Sequence, residues 1–325
     1  MPEQTIRRVA VIGGGANDEH DISLASAAAV VRAVRALGLT AVPLTIDRRG
    51  GWQLEDHEPV LPARAIARLA SCDVTFPVLH GVDGEDGAVA GLLRLTGVPF
   101  VGSPVRASAL GMDKWITKLV AERLGIRTAP GVLVDDRACV ERLHLEPPFV
   151  VKPTTGGSSN GVSVVREAGQ LEAAIETAQS AGGAALVEAF VDGREVDIAL
   201  FRDRDGELRA GSTLEIAVAD GAVFDREQKY GGSAEFTLPA RIAADEHAAI
   251  DRAARALYDT LGCAGVARFD FFVTADGVVL NEVNTAPGFT EQSQVPRMYA
   301  ATGLDYPDLV AALLEASVAG VAVAA

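Results

Sequence analysis

The stretch Gly265 to Phe289, GVARFDFFVTADGVVLNEVNTAPGF, holds the residue types best suited to chemistry in this chain. Two apolar runs flank an Asp-Gly turn, the signature of a β-hairpin. Four polar groups interrupt them: Arg268 and Asp270 in the first run, Glu282 and Asn284 in the second. Alternate residues of a strand share a face, so Arg268, Asp270 and Phe272 project together, as do Leu280, Glu282 and Asn284. Loop length decides whether the two polar faces coincide. A three-residue loop, Ala275-Asp276-Gly277, puts glycine where a left-handed backbone is needed; Thr274 then pairs with Val278, Asp270 with Glu282, and Arg268 with Asn284. A two- or four-residue loop would set Asp270 against Asn281 or Val283. Opposed Cβ atoms lie about 4.5–5.5 Å apart, and two carboxylates that close repel unless a cation intervenes. Two hard cations about 3.5–4 Å apart would suit Asp270, Glu282 and the Asn284 amide oxygen. Magnesium, which combines one or two carboxylates with phosphate oxygens and water, is the natural choice.

A second stretch, FVVKPTTGGSSNGVSVV, places Lys152 at the end of an apolar strand, followed by Gly156, Gly157, Ser158, Ser159 and Gly161. Glycines let backbone N–H groups approach phosphate oxygens closely. The loop is not a Walker A motif, because the lysine precedes the glycines. Nor is GGGANDEH near the N-terminus the dinucleotide fingerprint, whose third glycine is missing. A lysine-bearing Gly/Ser loop and a two-carboxylate metal site in one chain together suggest a magnesium-bound nucleoside triphosphate.

The elements that must carry these groups can be read in outline. RRVAVIGGG is a strand and glycine turn, ISLASAAAVVRAVRALG a helix ending at Gly38, and TAVPLTI and DVTFPVL further strands alternating with helices. That alternation predicts a parallel α/β domain over residues 1–102. Residues 103–190 read as helix, then strand pairs joined by the Gly/Ser loop, and residues 191–325 as hairpins and a terminal helix near 306–317. The formal net charge of −15 argues against nucleic acid or an anionic membrane as partner. Three cysteines with no CxxC spacing argue against disulfides and zinc, and no signal peptide or membrane span is evident. A cytoplasmic location is expected.

The stretches GGANDEHDIS, LHGVDGEDG, GVPFVGSPVRASALGMDK, VVKPTTGGSSNGVSVV, LVEAFVDGREV, KYGGSAEF, GVARFDFF and NEVNTAPGFTEQSQVP, in this order, resemble the D-alanine–D-alanine ligases of the ATP-grasp superfamily over essentially the whole chain. The resemblance implies an N-terminal α/β domain followed by two ATP-grasp lobes, substrates ATP and D-alanine, two Mg2+ or Mn2+ ions, and a homodimer. It makes Asp270, Glu282 and Asn284 the metal ligands. Lys114 and Lys152 would hold phosphates or the adenine side, with Ser159 in the loop beside them. Glu188, Phe190 and Val191 would meet adenine, and Glu195 the ribose. Lys229 would reach the phosphates or the second substrate. Glu19 would pair with the first substrate's ammonium, with His80 nearby; Ser158 and Tyr230 would join Glu19 in a loop-closing link. Arg268 and the Gly288 N–H would stabilise the tetrahedral oxyanion, and Ser293 would bind the second carboxylate. Departures are Asn17, where serine is usual, and Gln292 and Gln294 around Ser293; they bear on the second substrate. Tyr230 is the residue D-alanine-adding members carry, which favours an amino acid over a hydroxy acid there.

Overall fold

The computed structural model describes residues 5–134, 146–217 and 235–324. Strand β1 (Arg8–Gly14) is apolar on both faces, as a central parallel strand must be. It lies between β2 (Thr40–Ile46) and β5 (Val74–Pro77), parallel to both. Val9 and Val11 pack with Val30 and Val34 of helix α1 (His20–Ala36). Ala10 and Ile12 pack on the other face with Leu69 of α2 (Pro62–Ala70) and Leu93 of α3 (Ala88–Thr96). Two short strands, β3 (Trp52–Gln53) and β4 (Pro59–Val60), add an antiparallel edge, giving the order β4-β3-β2-β1-β5. The sheet is therefore parallel in its long strands and mixed overall.

The helical run after Ser103-Pro104 is two helices, α4 (Val105–Met112) and α5 (Lys114–Arg123). It breaks at Asp113, whose carboxylate accepts the Ile116 N–H at 3.0 Å and caps α5. A second sheet follows, wholly antiparallel: β6 (Gly131–Val134), β7 (Phe149–Pro153), β8 (Ser163–Val165) and β9 (Ala185–Ala189), in the order β6-β9-β7-β8. Val151 and Val187 pack against Ala174 and Ala178 of helix α6 (Leu171–Ala181), so Lys152 and Glu188, one position on, face the other way.

The third sheet contains β10 (Arg194–Arg202), β11 (Leu208–Ala210), β12 (Leu214–Ile216), β13 (Phe236–Thr237), β14 (Ala267–Thr274) and β15 (Gly277–Asn284). Its order is β13-β12-β10-β14-β15, with β11 beside β10. Val196, Ile198, Phe269 and Phe271 pack against Ile250, Leu257 and Tyr258 of helix α7 (Ala244–Leu261). Alternation leaves Glu195, Asp197, Arg268 and Asp270 on the opposite face. Helices α8 (Gln294–Ala300) and α9 (Tyr306–Ala324) complete the chain, α9 running beyond its expected end. No helix among the described residues is long and apolar enough to cross a membrane.

The β14–β15 hairpin corrects the loop count and explains the pairing. Thr274 lies opposite Gly277, so the turn has two residues rather than three. The register runs Val273 to Val278, Phe272 to Val279 and Phe271 to Leu280, and a two-residue turn would next set Asp270 against Asn281. A β-bulge intervenes between Asp270 and Phe271, Asn281 is the extra residue, and Asp270 meets Glu282 after all. Leu280 and Val283 are both buried against the α7 side of the sheet although three residues apart, which only a bulge permits. Leu280 therefore does not share the face of Glu282, contrary to the sequence expectation. The bulge, and not the turn, selects the face. Gly277 (φ +113°) still needs its conformation for the turn. Gly277→Ala should cost roughly 1–2 kcal/mol in urea denaturation, yet leave kcat/KM unchanged; a large fall in activity without a matching loss of stability would overturn this assignment of register control.

Candidate active site

Three carboxylates stand in a row across the third sheet: Asp197 on β10 lies opposite Asp270 on β14, which lies opposite Glu282 on β15. Asp197 and Asp270 are almost fully buried. The cation between them comes from the chain itself. Arg268 grips Asp270 with two hydrogen bonds of 2.7 Å, Nε to Oδ1 and Nη2 to Oδ2, and its Nε stands 3.6 Å from Asp197. Asn284 donates to Asp270 Oδ2 at 3.0 Å, which leaves its own amide oxygen as an acceptor. Glu282 is more open and approaches Lys114 Nζ at 3.8 Å. The repulsion between facing carboxylates is thus already offset by protein cations and does not by itself demand a metal. Among the described residues no group of three or more His, Cys, Asp or Glu is gathered to hold one. The donor set is the expected two carboxylates and one amide, all oxygen, which suits a hard divalent ion.

The neighbouring wall comes from α5 and the second sheet. Lys114, the first residue of α5, donates to the Gly156 carbonyl at 2.7 Å and so meets the Gly/Ser loop. Lys152 on β7 and Glu188 on β9 are diagonal neighbours, since Val150 pairs with Glu188. Their ion pair is 2.6 Å, and a further lysine, Lys118, reaches the other Glu188 oxygen at 2.6 Å. Burial pushes the Glu188 pKa up, but Lys152 and Lys118 outweigh it and hold the carboxyl below its ordinary value. Lys152 also donates to Asn281, the bulge residue, at 3.3 Å. Phe190 and Val191 follow β9 directly, the Phe190 N–H donating to Pro148 O at 3.1 Å. Ser158 and Ser159 both take left-handed backbone (φ +54° and +55°), a conformation that costs a non-glycine residue about 1–3 kcal/mol and collects at functional loops.

Glu19, just before α1, crosses to this loop, where the Ser158 hydroxyl donates to its carboxylate. Two glycines make that approach possible: a Cβ on Gly81 would sit 2.5 Å from Glu19 Oε2 and one on Gly157 3.3 Å away. Asn17 secures the turn. Its amide donates to the His80 and Val82 carbonyls at 2.9 and 2.8 Å, and its oxygen accepts the Glu19 N–H at 2.9 Å. The departure from serine at position 17 therefore supplies three bonds that hold Glu19 against the His80 loop. His80 is buried; Nδ1 bonds Ala286 O at 2.8 Å and Nε2 bonds Ser26 Oγ at 3.1 Å. Burial pushes its pKa below the ordinary histidine value, so the neutral ring links the first sheet to the loop after β15. Glu85 Oε1 accepts the Gly81 N–H at 3.0 Å. Burial, then the nearby Glu19 charge, push its carboxyl up to about 8.

Part of this set lines one cavity of about 620 Å³, whereas Lys118, Lys152, Ser159, Glu188, Phe190, Val191 and Asp270 are not among its lining residues. Its walls include Glu19, His80 and Glu85 from the first sheet, Lys114 and Gly156–Ser158 beside the second, and Glu195, Arg268, Glu282, Asn284 and Gly288 from the third. Ser293, Gln292, Gln294 and Arg297 close the far end. Ser293 stands at the helix-capping position of α8 but bonds Thr290 instead, accepting its N–H at 2.9 Å. Gln294 donates to Asp197 at 3.2 Å. Lys229 and Tyr230 lie outside the described residues. Asp197, Glu85, Lys118 and the tethering role of Asn17 were not anticipated. Asp197 had a legible signal: with Glu195 it forms an acidic i, i+2 pair in the apolar strand EVDIALF. Lys118 had none, because Glu188 is remote in sequence; Glu85 lay within LHGVDGEDG, but its nearness to Glu19 depends on the fold.

Comparison with known proteins gives a consistent result. The D-ala D-ala ligase C-terminus family matches residues 132–315, and the corresponding N-terminus family matches residues 8–65 and 55–103. A D-alanine–D-alanine ligase of Mycolicibacterium smegmatis is 41% identical over 96% of this chain and 95% of its own length. One from Mycobacterium ulcerans is 39% identical over 95% and 94%. Among solved structures, the VanG D-Ala:D-Ser ligase of Enterococcus faecalis superposes with a TM-score of 0.85 at 33% identity, covering 96% of this chain and all of its own. The D-alanine–D-alanine ligase of Coxiella burnetii gives 0.82 at 29%, covering 96% and 94%. With three α/β layers contributing to one acidic cavity and family matches along nearly its whole length, this chain belongs to the D-alanine–D-alanine ligase family.

Proposed function

We propose that this protein joins two D-alanines at the expense of ATP, releasing ADP and phosphate. One observation carries the reading: groups suited to phosphate, to a carboxylate-bound divalent ion and to an ammonium line the same cavity, contributed by three separate sheets. An unactivated carboxylate is a poor electrophile. Transfer of the γ-phosphoryl to the first D-alanine gives an acyl phosphate, and the amine of the second attacks its carbonyl carbon, with phosphate leaving. Such a reaction is accelerated mainly by positioning and by fixed charge.

In this reading Glu19 receives the first ammonium. Glu85 beside it, its carboxyl pushed up to about 8, is largely neutral at pH 7. Lys114 and Lys152 hold phosphates with the Gly156–Ser159 backbone, Glu188, Phe190 and Val191 flank adenine, and Glu195 meets the ribose. Arg268 and the Gly288 N–H face the tetrahedral oxyanion, and Ser293 faces the second carboxylate. His80 acts by holding the Ala286 loop. Lys229 and Tyr230 keep their family roles as proposals from the resemblance alone. Asp270, Glu282 and Asn284 would hold Mg2+ or Mn2+, which when bound neutralises phosphate charge. We read the working form as a cytoplasmic homodimer acting on free small molecules; light scattering at the mass of a single chain would contradict the dimer.

A second reading has its own support. Gln292 and Gln294 bring polar amides to the far end of the cavity beside Ser293, where a second substrate bearing a hydroxyl would find partners. Coupled ADP release, with product masses, separates the two: D-alanine alone should sustain turnover, and a requirement for D-serine or another second substrate would replace the first reading with the second. Glu282→Gln should fold normally and lose at least about 100-fold in ADP formation, as removal of a key electrostatic group does; near wild-type turnover would refute the metal assignment.

The proton on Glu85 has a consequence for stability. Its folded carboxyl titrates at about 8 against an ordinary 4.5. The folded state therefore holds a proton that the unfolded chain has lost between those values. The associated stability is complete below pH 4.5 and lost as pH rises towards 8. In urea denaturation, wild type should lose stability relative to Glu85→Gln across pH 5–8. A difference independent of pH would show that Glu85 is ionised throughout.

A further inference from the structure

We propose that Lys118 is a positioning residue for nucleotide binding: by sharing the Glu188 carboxylate, it keeps the Lys152 ammonium directed at the phosphates instead of locked in a private ion pair. This rests on the reading that Lys152 meets phosphate.

The geometry starts on α5. Lys114 and Lys118 are one helical turn apart and share a face. Lys114 reaches the rim, at Gly156 O and Glu282. Lys118 reaches inward. Glu188 Oε1 receives Lys118 and Oε2 receives Lys152, each at 2.6 Å. All three are buried, at 4%, 6% and 4% exposure for Lys118, Lys152 and Glu188.

The charge count is the informative part. Among the described residues two ammonium groups face one carboxylate, which leaves the cluster one surplus positive charge. A single Lys118–Glu188 pair would have satisfied the carboxylate and the packing between α5 and β9. The remaining partners among the described residues are neutral: the Ala129 carbonyl for Lys118 and the Asn281 side-chain oxygen for Lys152. An unmatched buried charge is expensive, and a polyphosphate is the ligand chemistry that offsets it. Were Lys118 absent, Lys152 would be the sole cation on Glu188. The pair would be neutral and tighter, and the field reaching a phosphate from Lys152 would fall.

The test is steady-state kinetics of the full-length protein with ATP and D-alanine varied separately, together with binding of ADP as nucleotide probe. Lys118→Met should raise the KM for ATP and the ADP dissociation constant about 10-fold, equivalent to about 1.4 kcal/mol, with the KM for D-alanine unchanged within about 2-fold. Lys118→Arg should restore most of the loss. Because Lys118 acts through Lys152, the double variant Lys118→Met, Lys152→Met should bind ADP no more weakly than Lys152→Met alone. Should Lys118→Met fail to fold, Lys118→Gln, which keeps a donor and drops the charge, carries the same expectation. Wild-type ATP affinity in the Lys118 variants, or full additivity with Lys152→Met, overturns the proposal and leaves Lys118 as a packing residue. Unchanged nucleotide affinity in Lys152→Met itself overturns the underlying assignment of Lys152, a separate result.

Discussion

One guanidinium organises the working face of the third sheet. Arg268 makes two parallel bonds to Asp270 and faces Asp197. Asp270 in turn fixes Asn284, and Asp197 receives Gln294. The planar fork of arginine suits this arrangement, since it grips one carboxylate along an edge while its Nε stays 3.6 Å from another; a lysine offers only a point charge. Buried charges of this kind become costly when one partner is removed, by about 3–5 kcal/mol. The expected metal ligands and the expected second-substrate wall are therefore mechanically joined through a single side chain.

The rest of the site is built by close approach. Glu19 comes from the first sheet, yet its carboxylate packs where side chains on Gly81 and Gly157 would stand. Asn17 pins the turn that delivers it. The acidic character of the cavity is moderated residue by residue: Arg268 offsets Asp270, Lys114 approaches Glu282, and Glu85 keeps its proton. What remains is a set of charges offset by shared partners, into which a polyanion and two zwitterions can be placed.

Much of this was legible in the sequence, and the misses have physical causes. Period-two alternation in ARFDFFVT placed Arg268 and Asp270 on one face, and the family motifs contain several of the residues that line the cavity, among them Glu19, Lys114, Ser158, Glu282 and Ser293. The hairpin shows where such reading stops. Its turn is shorter than counted, and the expected pairing survives because Asn281 bulges out. A bulge leaves only a faint trace in a single sequence, here the odd spacing of the core residues Leu280 and Val283. The antiparallel edge formed by β3 and β4 was missed because two-residue strands have no period to detect. Lys118 looked like any lysine on a helix, since its burial depends on Glu188, seventy residues away. Asp197 carries the same signal as Asp270, an acid on the polar face of an otherwise apolar strand.

The last helix has a bearing on how the chain is made. Leu309, Val310, Leu313 and Leu314 share one core with Val9 and Val11 of the first strand and Val30 and Val34 of the first helix. A chain synthesised from its N-terminus folds unit by unit as segments emerge. Here the opening sheet cannot finish covering one of its faces until residues near 314 have left the ribosome. For most of translation that face is an exposed apolar surface, open to chaperones or to a neighbouring nascent chain. The core of the first sheet is thus completed only by packing with Leu309, Val310, Leu313 and Leu314.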